Sequence, residues 1–170
     1  MKTLFIIRHA KSSWKDASLM DRERPLNKRG KRDAPMMGLR LLQSGIRIDL
    51  IVTSPAKRAL TTAKKIAKQF SFKIEMVQEE KLYDATEWQI LEVIHSLDDK
   101  IENVMIVAHN PGITDLVNQI SGHRIEKVPT CGVALLRYDS DTWQEVGRAK
   151  PVAFEFDYPK QTPGFKDPGV

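Results

Sequence analysis

The sequence predicts an α/β fold, a three-layer α/β/α sandwich with a mostly parallel central sheet and an antiparallel edge. Three observations carry this expectation. The apolar runs are short and rich in β-branched residues, they are apolar on successive positions, and helical patterns separate them. A short run that is apolar throughout suits a strand buried on both faces, as in a parallel sheet covered by helices. Strands alternating with helices are the pattern of parallel βαβ units.

Along the chain, "TLFII" (3–7) is the first expected strand. A helix is expected from Asn27 to Gln43, stopping near Gly45, with Pro35 either kinking it or marking its real beginning. "DLIVTS" (49–54) is the second strand. After it, Ala56, Ala59, Leu60, Ala63, Ile66, Ala67 and Phe70 recur at the spacing of one helix face, with Ser54 read as N-cap and Pro55 in the first turn. "KIEMV" (73–77) and "NVMIVAH" (103–109) are further strands, with a helix at 86–97 between them. Ile113, Leu116, Val117 and Ile120 share one face of a helix at 112–120. The segments 132–138 and 142–147 lie close enough in sequence to form an antiparallel hairpin at one edge. Beyond Lys150, four prolines interrupt the aromatic stretch "FEFDY". The expectation is one domain over 1–149 and a proline-rich tail over 150–170, packed on the domain or partly disordered.

Bulk properties narrow the function classes. A chain of 170 residues, 41% hydrophobic and 29% charged, suits a soluble globular protein. A net charge of +5 and a pI near 9.3 favour an anionic partner, whether a phosphate ester, nucleic acid or an acidic protein surface. Cys131 is the only cysteine, so an intramolecular disulfide is excluded and a reducing compartment is favoured. The apolar stretch before Arg8 is too short for a signal peptide, and no run approaches the roughly 18 apolar residues of a membrane span. A cytoplasmic location with no membrane partner is therefore expected.

In open α/β sheets, ligands bind beyond the carboxyl ends of the strands. Three expected strands end in polar residues of one character: Arg8 and His9 after the first, Ser54 and Arg58 after the second, His109 and Asn110 after the fourth. Arg58 falls in the first turn of its helix, where backbone N–H groups and the helix dipole already favour an anion. Two arginines and two histidines gathered at one edge would repel one another unless something negative sat among them. A phosphoryl group fits, because arginine forks bind its oxygens bidentately. Singly, each piece reads as a surface charge, a structural histidine or a well-capped helix start. The same holds for His95 and His123, expected to be structural or surface residues, and for Cys131, expected to be a packing thiol. "NKRGKR" (27–32) reads as a solvated helix start or as a docking surface for an acidic phosphoprotein.

Together these residues resemble the histidine phosphatase superfamily, which also holds the cofactor-dependent phosphoglycerate mutases. "IIRHA" is similar to its strand-Arg-His-Gly motif, with Ala10 in place of glycine. "TSPAKRALTTA" (53–63) is similar to its second-arginine motif, "VMIVAHNPGI" to its second-histidine motif, and "DRERPLNKRGKRDA" to its "RPLTxxG" stretch. The likeness spans residues 3 to about 137 and looks most like the SixA-type phosphohistidine phosphatases. It implies a phosphoglycerate mutase-like fold and a metal-independent phosphatase without cofactor. His9 would be the nucleophile that forms a phosphohistidine intermediate, and Arg8, Arg58 and His109 would hold the phosphoryl oxygens. Arg24 would be a further oxygen or substrate contact, with Lys11, Ser12, Ser13 and Asn110 as accessory pocket residues.

No general acid is evident: among Glu80, Asp84 and Glu87, only Asp84 is kept, as a weak acid. An imidazole leaving group, with a pKa of about 6.5 against roughly 15 for an alcohol, needs such help less. The substrate implied is phosphohistidine in a protein. The alternatives are a small-molecule phosphate-ester phosphatase or mutase-like enzyme and, from another class, a noncatalytic anion- or nucleic-acid-binding module. The latter finds no RNA motif and no aromatic stripe among the basic residues, so no nucleic-acid partner is expected.

Overall fold

The computed structural model describes residues 1–168. Its strands are β1 (Lys2–Arg8), β2 (Leu50–Thr53), β3 (Glu75–Gln78), β4 (Asn103–Ala108), β5 (Val133–Tyr138) and β6 (Ala153–Asp157). They form one sheet in the order β3-β2-β4-β1-β5-β6. The first four run parallel to one another, and β5 and β6 form the antiparallel edge. Helices α1 (Lys28–Gln43) and α2 (Lys57–Ala67) cover one face; α3 (Glu87–His95) and α4 (Gly112–Ser121) cover the other. The expected three-layer α/β sandwich is thus observed.

The central strands explain the unbroken apolar runs. Phe5 and Ile7 of β1 point into the core under α1 and α2, with Met37, Ala63 and Ile66. Leu4 and Ile6 point the other way, against Ile94, Leu116 and Val117. Each face of β1 therefore buries its own set, at about 1.5–3 kcal/mol per large apolar side chain. Among the described residues, no helix is long and apolar enough to cross a membrane.

Local chemistry sets the helix ends, with two departures from expectation. The Asn27 side chain accepts from the Gly30 N–H and caps α1, which runs through Pro35 rather than starting there. The carbonyl that Pro35 cannot engage is that of Lys31, on the exposed side. Ser54 is not the N-cap of α2. Ala56 holds that position without a side-chain cap, and the Ser54 hydroxyl is turned toward His109 instead. Thr86 and Gln89 form a reciprocal capping box at the start of α3.

The expected hairpin of 132–138 with 142–147 does not form, because Trp143 turns inward. Its indole is fully buried and its N–H donates to the Ile101 carbonyl at 3.0 Å, so residues 143–145 make a single 3-10 turn. The partner of β5 comes from the segment read as a tail: β6 alternates buried Phe154 and Phe156 with Glu155. Pro151 and Pro159 bracket this strand rather than prevent it. Arg40 of α1 then pins the chain where it leaves β6, donating to Asp157 Oδ1 at 3.1 Å, to the Tyr158 carbonyl at 3.0 Å and to the Pro159 carbonyl at 3.0 Å.

Two glycines bring helices against the loops that carry polar residues. A Cβ at Gly30 would lie 2.2 Å from the Lys11 carbonyl oxygen, and one at Gly112 would lie 2.1 Å from that of Ala85. The first turns of α1 and α4 can therefore pack directly on those backbones only because both residues lack a side chain.

Candidate active site

Strands β2, β4 and β1 are neighbours and parallel, so their carboxyl ends emerge together. Thr53 lies opposite Val107, and Ala108 opposite Arg8. Ser54, His109 and His9 are the next residues along each chain and open onto the same edge. Because β5 runs the other way, its start reaches this edge too, and the Cys131 N–H donates to the Arg8 carbonyl at 2.9 Å and to that of His9 at 3.2 Å. Cys131 takes a left-handed conformation to do so, at φ 60°. Its thiol is fully buried, and burial pushes its pKa well above the usual range.

Helix α2 is tied to the same point by Thr62. Its Oγ1 accepts from the Ala10 N–H at 3.0 Å while its hydroxyl donates to the Arg58 carbonyl at 2.7 Å. One side chain thus fixes Arg58 relative to the end of β1. Ala10 is fully buried with an ordinary negative φ, so its methyl group is accommodated where glycine is usual.

The result is a pocket of about 550 Å³. Arg8, His9, Lys11, Ser12, Arg24, Arg58, Asp84, His109 and Asn110 all line it. Ser13 does not: its carbonyl accepts from Arg24 Nε at 3.1 Å and its hydroxyl from the Lys15 N–H, so it positions an arginine from behind. Asn110 is already engaged within the protein, donating to the Val128 carbonyl in the loop before β5 and accepting from the Thr114 N–H and hydroxyl in α4.

His9 is 8% exposed, and its Nδ1 lies 2.7 Å from the Ala10 carbonyl. A carbonyl only accepts, so Nδ1 carries the proton and the lone pair of the neutral ring is on Nε2. The His9 and His109 rings are 5.0 Å apart between centroids. His109 Nε2 meets the Ser54 hydroxyl at 2.7 Å. Two buried nitrogens of this group, His109 Nδ1 and Arg8 Nε, have no partner among the described residues.

The sequence reading missed Asp21, Tyr83 and Thr130. Asp21 is the hub: its carboxylate accepts from Tyr83 OH at 2.6 Å, Arg58 Nη2 at 2.9 Å and Arg24 Nη1 at 3.0 Å. The Tyr83 hydrogen bond, then those from Arg58 and Arg24, hold its pKa far below the usual carboxylate range. Four guanidinium or ammonium groups still face only Asp21 and Asp84 across the pocket, so the site remains cationic. Trp14 lines the pocket rather than the core: it is 75% exposed and lies under the Arg24 guanidinium, 3.2 Å from the ring centroid. Arg24 Nη2 also donates to Ser12 Oγ at 2.5 Å, so its fork is held from three sides.

The family model of the histidine phosphatase superfamily, branch 1, matches residues 4–92. The chain belongs to that superfamily. An uncharacterized chloroplastic protein of Arabidopsis thaliana is 31% identical over 153 residues, covering 85% of this chain and 70% of the relative. A solved structure assigned as the phosphohistidine phosphatase SixA of Agrobacterium tumefaciens is 25% identical, with a TM-score of 0.77 and coverage of 90% and 96% of the two chains. A structure of the protein histidine phosphatase SixA complexed with tungstate is 21% identical, again with a TM-score of 0.77, over 92% and 97%. The phosphoglycerate mutase-like fold expected from the motifs is therefore the one observed. Arg8, His9 and Arg58 of this histidine phosphatase lie inside the matched region; His109 lies beyond it and reaches the pocket through β4.

Burial, with Arg58 and Arg8 adding to it, lowers His9 to about 3 and His109 to about 4. Both rings are thus expected to be neutral at pH 5.5 in the unliganded protein, and an NMR titration of their imidazole carbons checks this; a midpoint near 6.5 for either would contradict it. Folding stability inherits the same dependence. The unfolded chain takes up these protons below about pH 6.5, and the folded chain only near 3–4. Stability is complete above pH 6.5 and declines as pH falls toward 4, by at most about 1.4 kcal/mol per pH unit for each ring. Urea unfolding at pH 7 and pH 5 measures the difference.

Proposed function

We propose that this phosphatase removes a phosphoryl group from phosphohistidine in a protein, through a phosphohistidine intermediate on His9. The observation that carries the reading is the tether of His9 Nδ1 to the Ala10 carbonyl, which leaves Nε2 as the attacking nitrogen in a cationic pocket.

In the first step the Nε2 lone pair forms a bond to phosphorus while the P–N bond to the substrate imidazole breaks; that ring, protonated on its other nitrogen, keeps the bonding pair and leaves as neutral imidazole. In the second, water attacks the phosphorylated His9, phosphate leaves, and Nε2 recovers its lone pair. Arg8, Arg58 and His109 hold the equatorial oxygens, and Arg24, braced by Trp14, Ser12 and Ser13, supplies a further donor. The unpartnered Arg8 Nε and His109 Nδ1 support this role, because a buried nitrogen without a partner gains most from an arriving oxygen.

Substrate choice follows from the carboxylates. Asp21 is locked as an anion by Tyr83, Arg58 and Arg24, and Glu80 by a bidentate pair with Arg22 at 2.5 and 2.8 Å. Glu87 does not line the pocket. Asp84 remains, at the exposed rim, as a weak acid. Such a site favours a leaving group that departs without strong protonation, as imidazole does. The test offers phosphohistidine peptide, p-nitrophenyl phosphate and 3-phosphoglycerate to the protein. We expect kcat/KM for phosphohistidine to exceed that for phosphoglycerate by about 10²-fold or more, the usual worth of a general acid. Preference for phosphoglycerate, with isomerised product, would overturn the assignment.

A further inference from the structure

The basic stretch at the start of α1 has no part in the pocket around His9, yet the structure gives it a place. Beside that pocket lies a second cavity of about 620 Å³, and the two share Arg8, Lys11 and Thr130 as a common wall. Its rim is cationic. Arg29 and Arg32 come from the first turns of α1, Lys127 from the loop before β5, and Lys160 from the segment after β6. The one carboxylate in its lining, Asp33, is almost fully buried and already answered by Arg32 at 3.3 Å and Arg29 at 3.8 Å. Lys11, Lys127 and Lys160 are exposed, and none is paired with a carboxylate among the described residues. The floor is different in kind, built from Met36, Pro129 and Pro159.

Cations from four separated stretches of chain around an apolar floor suit a polypeptide better than a compact dianion. A small bisphosphate calls for donors converging on one point. Acidic side chains of an extended segment can reach a spread rim while their aliphatic stems lie on the floor. We propose that this cavity is the docking subsite for acidic residues neighbouring the phosphorylated residue of a protein substrate. The inference rests on the protein-phosphohistidine reading of the adjacent pocket and adds its selectivity: carboxylates near the phosphorylated residue should speed encounter and strengthen binding.

The test uses the triple variant Arg32→Glu/Lys127→Glu/Lys160→Glu, three exposed positions. For a phosphohistidine peptide flanked by Glu and Asp, kcat/KM is expected to fall about 10-fold or more, mostly through KM, while p-nitrophenyl phosphate is turned over within about twofold of wild type. A lysine-flanked phosphohistidine peptide should gain instead. A fluorescent, unphosphorylated acidic peptide, followed by anisotropy, should bind wild type but not the variant, and its binding should weaken with salt. That arm separates the two ideas. If phosphohistidine peptides are not hydrolysed but the acidic peptide still binds in this charge-dependent way, the substrate reading falls and the docking subsite stands. Equal binding by variant and wild type overturns the subsite. So does an equal loss on p-nitrophenyl phosphate. Lys127→Glu and Lys160→Glu singly serve if the triple variant does not fold.

Discussion

The His9→Ala variant is expected to remain folded while its phosphatase turnover falls by at least about 10³-fold, since loss of a covalent nucleophile removes the step on which the other groups act. Folding should survive. The His9 side chain makes a single hydrogen bond, to the carbonyl of its own neighbour, and the backbone bonds of His9 to Ala108 and Cys131 do not depend on the ring. The arginines should still supply some residual catalysis in the variant, because they stabilise charge whether or not a nucleophile is present. The direct measurement is acid-labile, alkali-stable label transferred to the protein from ³²P-substrate and trapped by rapid quenching. Wild type should carry it and His9→Ala should not. Full activity in the variant would sink the covalent mechanism.

The second large effect is expected at Arg58, where alanine should lower kcat by about 10²–10³-fold, the cost typical of removing one strong donor from developing charge. Inhibition by vanadate and by inorganic phosphate should weaken in parallel. The guanidinium reaches the pocket from the first turn of α2, and in this structure it donates to the Asp21 carbonyl at 2.7 Å and carboxylate at 2.9 Å. Asp21 keeps Tyr83 and Arg24 when Arg58 is removed, so its loop has other anchors and the loss should register in catalysis more than in stability. Lysine should rescue poorly, because a point ammonium cannot repeat a two-pronged contact. Unchanged phosphate binding in Arg58→Ala would mean that this helix start does not meet the phosphoryl group.

What was legible in the sequence, and what was not, divides on physical grounds. Residues at strand ends were legible: apolar runs place β1, β2 and β4, and the rule that ligands sit beyond their carboxyl ends brings Arg8, His9, Arg58 and His109 together. Asp21, Tyr83 and Thr130 were not, because they lie in loops or short turns with no periodicity, and only the tertiary fold decides which side chains turn inward. Asp21 carried one signal, a carboxylate three residues before Arg24, and the two do pair. The misplaced hairpin has a similar origin. Proximity along the chain favoured 142–147 as the partner of β5, but burying the Trp143 indole outweighed pairing there. The alternation of "AFEFD" was a strand signal in plain view, obscured by the prolines around it.

Arg40 fastens the end of β6 to α1, and so sets where Lys160 stands relative to Arg32. The groups assigned to bond-making lie between residues 8 and 109, whereas part of the wall assigned to partner choice arrives some fifty residues later. On that reading, chemistry and clientele are written in different stretches of one chain. If the docking proposal holds, sequence drift around Lys160 alters which acidic segments are selected while the reaction itself stays untouched.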